Sequence, residues 1–150
     1  MGERRKFVGT MIRPLADKGV GERASFLRKT FPAPAKRGEA RLFISALGLY
    51  RAFLNGVRVG DDQLTPGWTC YKERLSYQTY DVGALLKDGE NILDIWLADG
   101  WLRSQMMWKK NPIYNTWGDE IGAIADLVVD GKAVASTGKD WASGLLPSGP

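Results

Sequence analysis

The stretch ARLFISALGLYRAFLNGVRVGDDQLTPGWT, Ala40 to Thr69, carries the fold in its spacing. An apolar residue recurs at every second position through Leu42, Ile44 and Ala46, and again through Tyr50, Ala52 and Leu54. A period of two is the mark of a strand with one buried face. Asn55-Gly56 follows, a dipeptide that tolerates positive φ at both positions, as a two-residue hairpin turn requires. Val57-Arg58-Val59 then returns, and a Pro66-Gly67 corner presents Trp68. The block predicts β-structure from local chemistry alone.

Strand signals continue on both sides of it. Ser25 to Phe31 reads as a first strand, ended by the turn-rich Pro32-Ala33-Pro34. Leu75 to Tyr80 alternates as a strand, and Asp81 is placed to cap a short helical turn through Leu86. Asn91 to Ala98 is a nearly continuous apolar run broken by Asp94, which predicts a central strand with Trp96 in the core. Ile121 to Val129 and Lys132 to Ser136 flank Asp130-Gly131, a second hairpin signal. Residues 1–23, rich in charge with Pro14, Gly19 and Gly21, read as an irregular lead-in to a domain spanning 24–150. Seven or eight short strands without helical periodicity predict an all-β chain, an antiparallel β-sandwich.

Bulk properties narrow the function. At 150 residues the chain suits one domain, and its 44% apolar content is that of a globular protein. The net charge of +4 comes from 21 basic and 17 acidic side chains dispersed along the chain. A nucleic-acid-binding protein concentrates its basic residues on a face or a reading motif, and neither is evident. The single Cys70 excludes an intramolecular disulfide, and the absence of His excludes a Ser–His or Cys–His pair within the chain. No apolar run approaches the roughly 18 residues of a membrane span, and the N-terminus lacks the apolar core of a signal peptide. A cytoplasmic, reducing location with no membrane partner is the expectation.

An ordered set of short blocks resembles the N-terminal β-sandwich domain of bacterial α-L-rhamnosidases, glycoside hydrolases of the family 78 type. It comprises Phe26-Leu27-Arg28-Lys29-Thr30-Phe31, Ala40-Arg41-Leu42, Ser45 to Tyr50, Leu54-Asn55-Gly56 and Pro66-Gly67-Trp68-Thr69. Tyr77 to Val82, Gly89-Glu90-Asn91 and Asp99-Gly100-Trp101 follow in the expected order. The resemblance implies a jelly-roll, galactose-binding-like sandwich that supports a catalytic helical barrel and contacts rhamnosylated substrate. The alternative is a free-standing, lectin-like module for terminal L-rhamnose. The family's inverting hydrolysis uses a carboxylic acid and a carboxylate across the scissile bond. Those residues belong to the barrel, which is absent here, so no catalytic residue is assigned and the chain is expected to be a non-catalytic piece of a longer enzyme. Its expected partners are that barrel and a rhamnose-containing glycan.

Candidate sugar contacts follow from chemistry. A pyranose offers apolar C–H faces for indole and hydroxyls for carboxylates. Asp99-Gly100-Trp101 and Trp117-Gly118-Asp119 have that composition, with Trp108, Tyr114 and Trp68 as further candidates. Each has a structural reading beside it, since Trp is a buried residue on average. No cofactor is required. Calcium, which takes six to eight oxygens, has candidate donors in Asn55, Asp61, Asp62, Asp99 and Asp119, at no spacing that forms a calcium loop. Asp81, Asp88 and Asp130 read as turn and cap residues. Met106, Met107 and Trp108 form an adaptable apolar stretch suited to packing against a partner domain.

Overall fold

A computed structural model describes residues 4–107 and 110–147. Nine strands run β1 (Ser25–Ala33), β2 (Ala40–Leu47), β3 (Leu49–Leu54), β4 (Val57–Arg58), β5 (Gln78–Asp81), β6 (Gly89–Ala98), β7 (Gly122–Val129), β8 (Lys132–Ser136) and β9 (Ala142–Leu145). They form a five-stranded sheet in the order β4-β3-β6-β1-β9 and a four-stranded sheet in the order β5-β2-β7-β8. Every paired neighbour is antiparallel. The sequence therefore folds as the expected antiparallel β-sandwich, with β6 at the centre of the larger sheet.

Alternation fills the space between the layers. Leu27 on β1, Leu54 on β3 and Leu93, Ile95 and Leu97 on β6 face Leu42 and Ile44 on β2 and Leu127 on β7, all essentially buried. Each contributes about 1.5–3 kcal/mol of burial, which makes this layer the main source of stability. Both predicted hairpin turns have positive φ at their two central residues: 52° and 80° at Asn55-Gly56, and 48° and 80° at Asp130-Gly131. Turns of this type match the right-handed twist of the strands they join.

Several strand limits differ from expectation; β6, for one, begins at Gly89. β1 continues through Pro32 and Ala33, which pair with Glu90 and Gly89. Beyond Arg28 that strand has no β9 neighbour, so a residue without an N–H is tolerated there. The strand expected from Leu75 begins at Gln78. β9, unpredicted, pairs with Ser25–Arg28. The turn after Asp81 is a short 3₁₀ segment, Gly83–Leu85, and Asp81 accepts the Gly83 N–H at 3.0 Å. A one-turn helix, α1 (Gly100–Arg103), follows β6. Among the described residues no helix is long and apolar enough to cross a membrane.

The lead-in is packed on the sandwich. Asp126 points away from the core on β7 and is nonetheless fully buried, because residues 5–9 cover it. Its carboxylate accepts the N–H groups of Val8 and Gly9 and the Ser136 hydroxyl, each at 2.8 Å. The Arg5 guanidinium lies 3.3 Å from the Phe43 ring centre, and Phe7 meets Tyr77 edge-on at 6.0 Å. Ile12 then bridges to Ala123. The outer face of the four-stranded sheet is thus covered by the chain's own N-terminal segment.

Candidate functional site

Two loops, 59–77 and 99–121, meet at one end of the sandwich. The first is anchored by Tyr50, whose N–H donates to the Thr65 carbonyl at 2.9 Å, and by the Thr65 hydroxyl, which donates to the Tyr50 carbonyl at 3.0 Å. Beneath it the Tyr50 hydroxyl donates to Gln78 at 2.7 Å and lies 3.3 Å from that of Tyr80, which donates to Asp62 at 2.8 Å. Burial, and next the neighbouring Tyr80 hydroxyl, push the Tyr50 phenol well above its ordinary range. The two loops touch where Tyr71 packs on Trp117, ring centres 6.2 Å apart.

The second loop is organised by Arg103, 1% exposed. Its Nε donates to Asp99 at 2.6 Å, its two terminal nitrogens donate to the Asp17 carboxylate at 2.7 and 2.6 Å, and one of them also reaches the Asp119 carbonyl at 2.9 Å. The hydrogen bond to Asp17, with that to Asp99, raises the guanidinium pKa against the opposing cost of burial. Sequence reasoning missed this residue, because an arginine after a turn reads as solvated surface.

The predicted site residues fall into different environments. Asp99 is committed to the fold: one oxygen accepts Arg103 and the other the Gly21 N–H at 2.9 Å. Trp101 lies half-buried in α1. Trp117 is partly buried against the core, with its indole N–H buried and unpartnered among the described residues. Asp119 is exposed, and its backbone carbonyl serves Arg103. Tyr114 is 45% exposed and Trp68 62% exposed. Trp108 lies outside the described residues. The described ones lie on loops at one end of the sandwich, with the Asp99 carboxylate committed to Arg103 and Gly21.

The candidate calcium donors are dispersed. Asn55 lies beside the start of β6, where its side chain bonds Leu85, Asn91 and Ile92, while Asp99 follows the far end of that strand. Among the described residues no group of three or more acidic, His or Cys side chains is placed to hold a metal ion. Asp130 sits at φ 48° in its hairpin turn as expected and also accepts the distant Gly38 N–H at 2.9 Å, while Asp88 pairs with Arg37 at 2.7 Å. Cys70 is exposed, and its backbone carbonyl accepts the N–H groups of Glu73 at 2.8 Å and Arg74 at 3.1 Å.

Trp96 corrects the reading of β6. It is 37% exposed on the outer face of the five-stranded sheet, not in the core. Ile95 and Leu97 take the inward positions, so strand geometry sends Trp96 outward with Asp94. Phe53 packs on it with ring centres 4.3 Å apart.

Exposed apolar side chains also mark the loop end: Trp68, Leu64 at 58%, Ile113 at 52% and Met107 at 50%. Met106 is less exposed, and its backbone bridges to Ile113.

Residues 35–147 match the family model described as "Alpha-L-rhamnosidase N-terminal domain". An α-L-rhamnosidase of Streptomyces avermitilis is 42% identical over 137 residues, covering 86% of this chain. The chain spans only 13% of that relative. The crystal structure of a native α-L-rhamnosidase from Aspergillus terreus superposes with a TM-score of 0.84 at 34% identity, over 92% of this chain and 17% of its own. That of the S. avermitilis enzyme complexed with L-rhamnose gives 0.76 at 40% identity, over 83% and 12%.

Proposed function

We propose that this chain, which belongs to the family of α-L-rhamnosidase N-terminal domains, is the accessory sandwich of a larger glycoside hydrolase. In this reading it docks the catalytic part of the enzyme through the loop end of the sandwich and helps present rhamnosylated substrate. The observation that carries the reading is the exposure of Trp68, Leu64, Met107, Ile113 and Tyr114 on loops that are internally well tied. A monomer rarely leaves large apolar side chains in water on one region without a partner for them. Aromatic residues and Met are the types enriched where proteins meet. The rigidity beneath the loops, supplied by Arg103 and by Tyr50, fits a surface pre-shaped for docking.

Hydrogen exchange tests this reading. Amides of residues 67–69, 111 and 113–115 should exchange more slowly in the full-length polypeptide than in the 150-residue chain. Equal exchange in both would remove this end as the docking surface.

A further inference from the structure

The sandwich has two outer faces, and they are treated differently. The lead-in covers that of the four-stranded sheet. On the five-stranded sheet Arg28, Asp94 and Phe53 form one cross-strand row, and Phe26, Trp96 and Arg51 the next. Phe26, Arg28, Phe53, Asp94 and Trp96, with Leu146 at the margin, line a cleft of about 350 Å³. That is the lower end of the roughly 300–1,000 Å³ typical of small-molecule sites.

The cleft combines flat apolar walls with a polar floor. Phe53 and Trp96 are tilted 38° to one another. Phe26 lies against bare backbone: a Cβ on Gly144 would sit 2.8 Å from its ring. Between them Arg28 and Asp94 are joined by two bonds, at 2.5 and 3.1 Å, and Asp94 is only 9% exposed. A guanidinium has five N–H donors, and the pair to Asp94 uses two of Arg28's among the described residues. The remaining N–H groups and carboxylate lone pairs are directional partners for hydroxyls. The Arg28 guanidinium also lies 5.5 Å from the Phe26 ring centre, so the ion pair and the aromatic walls form one continuous surface.

We propose that this cleft binds a 6-deoxyhexopyranose of a glycan: its C–H face and C5 methyl against Trp96, Phe53 and Phe26, its hydroxyls on Arg28 and Asp94. The choice of sugar rests on the rhamnosidase reading above, whereas the site is distinct from the docking end.

The test uses the 150-residue chain, labelled with ¹⁵N and titrated with methyl α-L-rhamnopyranoside, then with methyl α-L-mannopyranoside, which adds only a 6-hydroxyl. Saturable shifts of the Trp96 indole N–H and of the Phe53 and Asp94 amides are expected at sugar concentrations on the order of millimolar, as befits a small contact. The mannoside should need several-fold more sugar. Trp96→Ala should abolish the shifts and Trp68→Ala leave them intact. No saturable shift with the rhamnoside, or shifts confined to the Trp68 and Trp101 loops, would overturn the assignment. Equal response to both sugars would overturn the role of the C5 methyl. Because no docking partner is present, failure here leaves the exchange test of the docking end separate.

Discussion

Arg103 and Asp17 are joined by two charge-assisted hydrogen bonds, at 2.7 and 2.6 Å, across 86 positions of sequence. The pair ties the lead-in to the loop after β6, and Arg103 is the largest of the fully buried side chains. Removing one member of a buried pair leaves an uncompensated charge, at a cost of about 3–5 kcal/mol. Asp17→Ala should lower the unfolding free energy, read from the urea midpoint and slope, by less than that, about 1–3 kcal/mol, because Asp99 still pairs with Arg103. Arg103→Lys should recover little, because an ammonium cannot serve Asp17, Asp99 and the Asp119 carbonyl with a planar fork. A midpoint unchanged in Asp17→Ala would remove the pair from the account of the loop.

Asp126 makes the equivalent tie at the other side of the molecule. Asp126→Ala removes the acceptor of the part-buried Val8 and Gly9 N–H bonds, each worth roughly 0.5–1.5 kcal/mol. The N-terminal segment should then detach first. Faster amide exchange at Val8 and Gly9, with β2 and β7 still protected, is the expected result.

Stability should fall in alkali, and Tyr50 should be part of the cause. Its phenol pKa is raised in the fold, chiefly by burial. Its contribution is therefore complete below the unfolded value of about 10 and is lost as pH rises above it, because only the unfolded chain releases the proton. Comparing urea midpoints at pH 8 and 11, Tyr50→Phe should show a shallower decline than the parent. Parallel declines would place the alkaline loss elsewhere.

The Asn55 turn combines backbone and side-chain demands. φ is 52°, and the side chain donates to Leu85 and Asn91 while accepting the Ile92 N–H. Asn55→Ala should cost about 2–4 kcal/mol, from positive φ and stranded partners together. Asn55→Gly, which relieves only the backbone term, should lie between, as thermal unfolding of the three proteins would show.

The hairpins were legible because Asn-Gly and Asp-Gly state a backbone conformation outright. Strands β2, β7 and β8 were legible from alternation or apolar runs between turn signals. β9 was not: Ala142-Ser143-Gly144-Leu145 has no apolar period, and its register comes from β1. The face of Trp96 was available in principle. Asp94 shares its parity on β6, and a charge in an apolar strand marks the outward side. Asp126 carries the same parity signal on β7, but nothing local says that a distant segment will cover it. Arg103 and Asp17 could not be paired from sequence, since their meeting depends on the whole course of the lead-in. The candidate sugar contacts at Asp99 and Trp101 had the right composition, yet Asp99 is spent on holding Arg103 and Gly21.

The central claim, an accessory domain docked through its loop end, is tested most directly by sedimentation velocity. The 150-residue chain is mixed with the parent polypeptide produced without it. Association of the two into one faster-sedimenting species, weakened at least tenfold by Trp68→Ser with Ile113→Ser, is the predicted result. Independent sedimentation, or association that the double substitution leaves unchanged, would contradict it.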